Sequence, residues 1–113
     1  MKKEIKARWV AALRSGVYAQ TKEKLRSGDG YCCLGVLCDL HANETNTPWT
    51  PDGFSFMYKW ANLVLPSDVR KWAGLTLNDP TVKVNGKQES LSNMNDTHQK
   101  SFDDIADAIE KGL

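Results

Sequence analysis

The run Tyr31–His41, YCCLGVLCDLH, constrains the fold more than any other part of the chain. It is the most apolar stretch, and its length and lack of alternation favour a buried helix over a strand. Apolar residues fall nearly all round such a helix, as expected of a central element covered on several sides. Gly35 in its middle costs about 1 kcal/mol relative to Ala. That cost is offset if another backbone approaches closely at that point. The run also carries all three cysteines, Cys32, Cys33 and Cys38. An odd number in adjacent positions is a poor disulfide framework. On a helix they point in different directions, and only His41 is near as a fourth ligand, which does not suit tetrahedral zinc. The thiols read as small buried hydrophobes, and the sequence calls for no metal and no cofactor.

Around this helix the chain has room for one domain, residues 1–113. At this size about 65% of the unfolded surface can be buried without staples, and four Trp supply large anchors. Residues 3–15 predict an amphipathic helix, with Ile5, Trp9, Ala12 and Leu13 as its apolar stripe and Gly16 at its end. A short helix is expected around Lys22–Arg26, closed by Gly28-Asp29-Gly30. Residues 43–53 read as a loop broken by Pro48, Pro51 and Gly53. Phe54, Phe56, Tyr58 and Trp60 alternate with period two, favouring a strand, although Phe56, Trp60, Leu63 and Val64 also fit a helix. A short helix follows to Ala73, with Ser67 as the expected N-cap and Gly74 as its stop. Val82 and Val84 lead into Asn85-Gly86, the pair favoured by a type I′ hairpin turn. Ser101 caps the last helix, Asp103 and Asp104 sit at its positive end, and Phe102, Ile105, Ala106 and Ile109 form its buried stripe. The expected class is α+β: a central buried helix, three to four further helices, and a small antiparallel sheet or hairpin.

Fifteen basic and fourteen acidic side chains leave a net charge of +1. That argues against a nucleic-acid binder, which needs a basic excess for phosphate contacts. The first 26 residues are basic, including Lys2, Lys3, Lys6, Arg8 and Arg14, whereas the end is acidic through Asp103, Asp104, Asp107 and Glu110. Two helix faces that attract each other are the expected source of this asymmetry, the alternative being a basic surface that meets an anionic partner. No apolar run approaches the roughly 20 residues that span a bilayer, and no signal-peptide pattern is present, so cytoplasmic residence is expected. His41 and His98 are the only histidines, and Cys38 with His98 is the arithmetically available nucleophile pair. No small-residue elbow marks it. Two polar clusters at helix boundaries are the candidate binding elements: Arg14 to Gln20, and Asn93 to His98. The same residues also suit local turn bonding, and Tyr18 also suits covering the core.

Several stretches carry a resemblance. They are Trp9–Gln20 (WVAALRSGVYAQ), Tyr31–Leu40 (YCCLGVLCDL), Leu65-Pro66 with Val69 and Trp72-Ala73-Gly74-Leu75, and Asn95-Asp96 followed by Phe102 and Ile105-Ala106-Asp107. Together they resemble a group of small proteins encoded by bacteriophages and prophages. The group's usual form has a Gly after the Asn-Asp pair, where this chain has Thr97-His98, so the tight turn is not carried over. The resemblance implies a phage-related origin and brings no catalytic residues. Small phage proteins of this kind often bind, either blocking a host defence protein or sequestering a nucleotide signal.

The leading expectation is therefore a non-enzymatic binding protein in the host cytoplasm. Its partner is a small anionic ligand such as a nucleotide, or a host protein met through an exposed surface around Trp49. For the nucleotide, Arg14, Tyr18, Gln20, Asn95 and Asp96 are the candidate contacts. Arg would pair with phosphate, Tyr would stack on the base, and Asn or Asp would read its polar edge. A small enzyme acting on a nucleotide and a nucleic-acid-binding module are the alternatives. A homodimer is the commonest symmetric assembly for such a chain.

Overall fold

The computed structural model describes residues 1–113. Along the chain come α1 (Lys3–Arg14), β1 (Ala19–Gln20), β2 (Arg26–Ser27), β3 (Gly30–Tyr31) and α2 (Cys33–Thr45). Then follow β4 (Thr50–Asp52), β5 (Ser55–Met57), α3 (Ser67–Ala73), the hairpin β6 (Thr81–Val84) and β7 (Lys87–Ser90), α4 (Leu91–Asp96) and α5 (Phe102–Gly112). The fold is a small α+β domain with five helices.

The cysteine-bearing run becomes α2, and every residue from Cys33 to Cys38 is buried. Gly35 sits where a neighbouring backbone crosses: a Cβ built on it would lie 1.8 Å from the Leu25 carbonyl oxygen. That oxygen accepts from Cys32 N–H, and Leu25 N–H donates to Asn62 O. The close approach therefore joins α2 to the segment before β2. Trp9 of α1 is fully buried and donates Nε1–H to the Cys33 carbonyl at 3.0 Å. Along α5, Phe102, Ile105, Ala106 and Ile109 face the same core, and Ser101 Oγ accepts from Asp104 N–H as the cap. The basic start and acidic end do meet: Arg14 pairs with Asp107 at 2.6 Å and Glu110 at 3.2 Å.

Strands β1-β3-β2-β5-β4 form one sheet, antiparallel except for the β1–β3 pair. The β6–β7 hairpin turns at Asn85 and Gly86 with φ of 53° and 80°, both left-handed as a type I′ turn requires.

Several local expectations need correction. The Lys22–Arg26 stretch is not helical: Glu23 has φ 72°, and Leu25 is drawn fully into the core. Residues 43–53 are not all loop, since α2 runs to Thr45 and Thr50–Asp52 pairs with β5 as an edge strand, where Pro51 is tolerated. Pro66, not Ser67, is the N-cap of α3, with no side-chain cap bond. The 93–98 cluster is not a flexible boundary, because Leu91–Asp96 is helical, capped by Ser90 Oγ accepting from Asn93 N–H. The period-two aromatics do form a strand over Ser55–Met57, but only Phe56 and Tyr58 turn inward. Phe54 and Trp60 are 82% and 85% exposed. Trp49, expected at the surface, is half-buried, with Nε1–H donating to Asp39.

Candidate ligand-binding groove

Two of the polar clusters meet at Asn95. This side chain is 1% exposed, and every polar atom on it is occupied. Its Oδ1 accepts from Gln20 Nε2 at 2.9 Å and from Cys33 N–H at 3.2 Å, while Nδ2 donates to Thr21 O and Asp96 Oδ1. Asp96 Oδ1 also accepts from Glu23 N–H. Gln20 bonds a second time, to the Lys100 carbonyl at 2.8 Å. The structure thus brings Gln20, Asn95 and Asp96 together. Arg14 is instead committed to α5, where the Glu110 and Asp107 hydrogen bonds raise its pKa. The Tyr18 hydroxyl donates to Asp39 at 2.6 Å, and its pKa is raised by burial first and by that carboxylate next.

Lys100 belongs to the connection between α4 and α5. Gln99 adopts φ 50°, and Lys100 N–H donates to the Met94 carbonyl at 2.9 Å, closing a tight turn. The Gln20 bond fixes the next peptide, through the Lys100 carbonyl. The Lys100 side chain stands where the β6–β7 hairpin faces α4 and α5. A cavity of about 390 Å³ opens there, with Val84, Met94 and Ala108 as its apolar floor and Lys83, Lys100 and Lys111 around it. A second, of about 300 Å³, shares Val84, Asn85, Met94 and Lys100 and adds Lys87 and His98. A third, of about 220 Å³, is lined by Gln20, Lys22, Asn95, Gln99 and Lys100. Lys100 is common to all three.

The charges of this groove are unbalanced. Of its carboxylates, Asp107 is paired with Arg14, Glu89 lies 3.2 Å from His98 Nε2, and Asp104 has no ion-pair partner, against four lysines. Lys83, Lys87, Lys100 and Lys111 take part in none of the chain's ion pairs. Four ammonium groups around adjoining hollows can hold several oxyanion charges at once. None of these lysines was a candidate from sequence. They come from two strands, a turn and a helix end, with no linear motif to mark them.

The cysteines offer no nucleophile to this groove. All three are free and buried. Burial pushes the Cys32 thiol up to about 11 and the Cys33 and Cys38 thiols well above their ordinary value. His41 Nδ1 shares a hydrogen bond with the Tyr58 hydroxyl at 2.6 Å, and burial lowers its pKa. No hydrogen bond joins either histidine to a cysteine.

Fold and groove together define a small α+β domain with an open basic hollow between a hairpin and two helices. The chain belongs to the family described as Domain of unknown function (DUF8296), which matches it over residues 1–113. No curated protein and no solved structure matches it. No helix is long and apolar enough to cross a membrane.

Proposed function

We propose that this chain is a non-catalytic binding protein that holds a compact polyanion, a nucleotide or kindred polyphosphate, in the lysine groove. The observation that carries the reading is the convergence of Lys83, Lys87, Lys100 and Lys111, free of ion pairs, on adjoining cavities of about 390 and 300 Å³. Hollows of roughly 300–1,000 Å³ suit ligands of nucleotide size. The floor of Val84, Met94 and Ala108 gives the ligand an apolar face to rest on, and Asn85 and His98 offer polar edges. The resemblance to phage proteins supports a role in the host cytoplasm, removing a nucleotide signal on which a host defence depends. In this reading Gln20 and Asn95 act by holding Lys100 in place, and Tyr18 is not a stacking platform, because its ring and hydroxyl are engaged elsewhere.

The test is thermal denaturation and calorimetry with ATP, cyclic dinucleotides and inorganic tripolyphosphate. A ligand at a hundred times its Kd stabilises the folded state by about 2.7 kcal/mol. Lys100→Glu, a surface exchange, abolishes that stabilisation while leaving the unliganded midpoint unchanged. Absence of any shift at millimolar ligand, or a shift that survives K100E, overturns the reading.

A further inference from the structure

Across the five-stranded sheet, register aligns Gln20, Tyr31, Arg26, Phe56 and Pro51 in one row. The middle of that row is a cation without an anion. The Arg26 guanidinium carbon lies 4.1 Å from the Phe56 ring centre, 5.1 Å from that of Tyr31 and 5.5 Å from that of Trp49. Phe56 and Tyr31 are its cross-strand neighbours on either side, so the sheet itself sets the spacing. Trp49 closes over it from the segment after α2. Asp39 serves other donors: one oxygen takes Trp49 Nε1–H and the other the Tyr18 hydroxyl. Arg26 is in none of the chain's ion pairs. Its Nε is sealed from solvent with no acceptor, and of its three nitrogens only that one is so placed. The terminal nitrogens have no hydrogen-bond partner within the chain and are not sealed as Nε is. A guanidinium packed against three rings, with its forked end unpaired, is pre-organised for a planar oxyanion.

What surrounds the fork selects the source of that oxyanion. Strand β5 is flanked by Phe54 at one end and Trp60 at the other, the two most exposed aromatic side chains of the protein. Trp60 is not simply left outside. Tyr58 and Ala61 exchange both backbone hydrogen bonds, at 2.8 and 2.9 Å, closing a two-residue loop at Lys59 and Trp60. Those two residues adopt φ of 49° and 72°, a region where Asn and Gly are at ease and a bulky ring is an outlier. Strain retained at an exposed ring points to a use for that ring. Arg26 with Tyr31 and Trp49, flanked in the chain by the exposed Phe54 and Trp60, supplies the residue types of a protein-interface hot spot. A free phosphate has no need of the two projecting rings.

We infer that the β2–β5 face, with its two flanking turns, docks a protein partner that seats an Asp or Glu carboxylate end-on against Arg26 and apolar side chains on Phe54 and Trp60. This surface is separate from the lysine groove and stands or falls independently of it. The probe is a displayed random-peptide library panned on the purified full chain. Enriched peptides carry an acidic residue beside apolar ones. A synthetic copy loses at least about tenfold in affinity when its acid becomes the amide, or when the chain carries R26K, which keeps the charge but not the fork. Trp60→Ser, an exposed exchange, weakens binding similarly and keeps the test decisive should R26K fold poorly. Lys100→Glu leaves it unchanged. Failure to enrich acidic peptides, binding that survives both R26K and W60S, or displacement of the peptide by millimolar inorganic phosphate would each overturn the inference, the last by making this a site for free oxyanions.

Discussion

Gly35→Ala is the substitution that most sharply separates a tertiary account of α2 from a local one. Helix propensity alone makes it stabilising by about 1 kcal/mol, since Ala replaces Gly in the interior of a helix. The packing says the reverse. The added Cβ would stand 1.8 Å from the Leu25 carbonyl oxygen, and no real Cβ contact falls below 3.0 Å, so a separation of more than an ångström must be found. The obstacle is backbone, not a side chain that can swing away. Leu25 is fully buried, and both its backbone groups are engaged, the carbonyl accepting from Cys32 N–H and the N–H donating to Asn62 O. Moving it overpacks the core, at about 1–3 kcal/mol, and strains or breaks a buried hydrogen bond, at about 1–3 kcal/mol more. Setting the propensity gain against these terms leaves a net loss of about 3 kcal/mol. In urea, with a slope of about 2 kcal/mol per molar, the midpoint falls by roughly 1.5 M and the slope is unchanged. Stability equal to or above that of the parent would refute the close approach as a determinant of the fold.

The other predictions concern the polar hub, the strained turn, the thiols and the anchor of Lys100. Asn95→Ala strands Cys33 N–H and removes the bonds to Thr21 and Gln20, so thermal unfolding should show a loss of about 2–4 kcal/mol. Replacing Lys59-Trp60 by Asn-Gly relieves the left-handed backbone and raises the urea midpoint by the equivalent of about 1–2 kcal/mol, while removing the projecting ring. The thiols hold their protons longer folded than unfolded, Cys32 up to about 11. The native state therefore binds more protons once the unfolded thiols ionise. Stability should be level to about pH 8.5, then fall with rising pH by up to about 1.4 kcal/mol per pH unit for each thiol. Denaturation monitored across pH 7–11 reads this, and a flat profile would contradict burial of the three sulfurs. Gln20→Ala frees the Lys100 peptide, so tripolyphosphate binding should weaken about fivefold from added ordering entropy. The steepness of its salt dependence should be unaltered, because no charge is lost.

What could be read from the chain follows how local each cause is. The three-cysteine helix was legible because burial on all sides leaves an unbroken apolar run, and Gly35 announced a close approach by being a poor helix residue in the best helix. The hairpin and the capped last helix carry their signals within a few residues, at Asn85-Gly86 and at Ser101. The five-stranded sheet was largely invisible. Strands such as Ala19–Gln20 and Arg26–Ser27 are too short to alternate, and their pairing depends on Leu25 being held by α2. Asn95 illustrates a different blindness. A polar residue in a polar cluster reads as a surface contact, yet its whole hydrogen-bonding capacity is turned inward to Cys33, Thr21 and Gln20. The groove lysines were hidden because each is an ordinary surface residue until the fold gathers them.

Near-neutral net charge and a basic groove are compatible because the ion pairs are unevenly distributed. Arg8 is matched by Glu44, Arg14 by Asp107 and Glu110, and Lys59 by Asp68, none of them using a groove lysine. With a net charge of +1 the chain has little long-range pull on polyanions. Attraction begins only within about a Debye length of the groove, roughly 8 Å at physiological salt. A long nucleic acid, which gains from charge spread over an extended face, would find few further contacts beyond the groove. In the proposed reading a compact polyphosphate places its charges across the two adjoining hollows that Lys100 shares. The same uneven pairing sets Arg26 apart, since it is in no ion pair and Asp39 instead accepts from Trp49 and Tyr18. In both places the proposed recognition rests on side chains left without a counter-charge and not on the total charge.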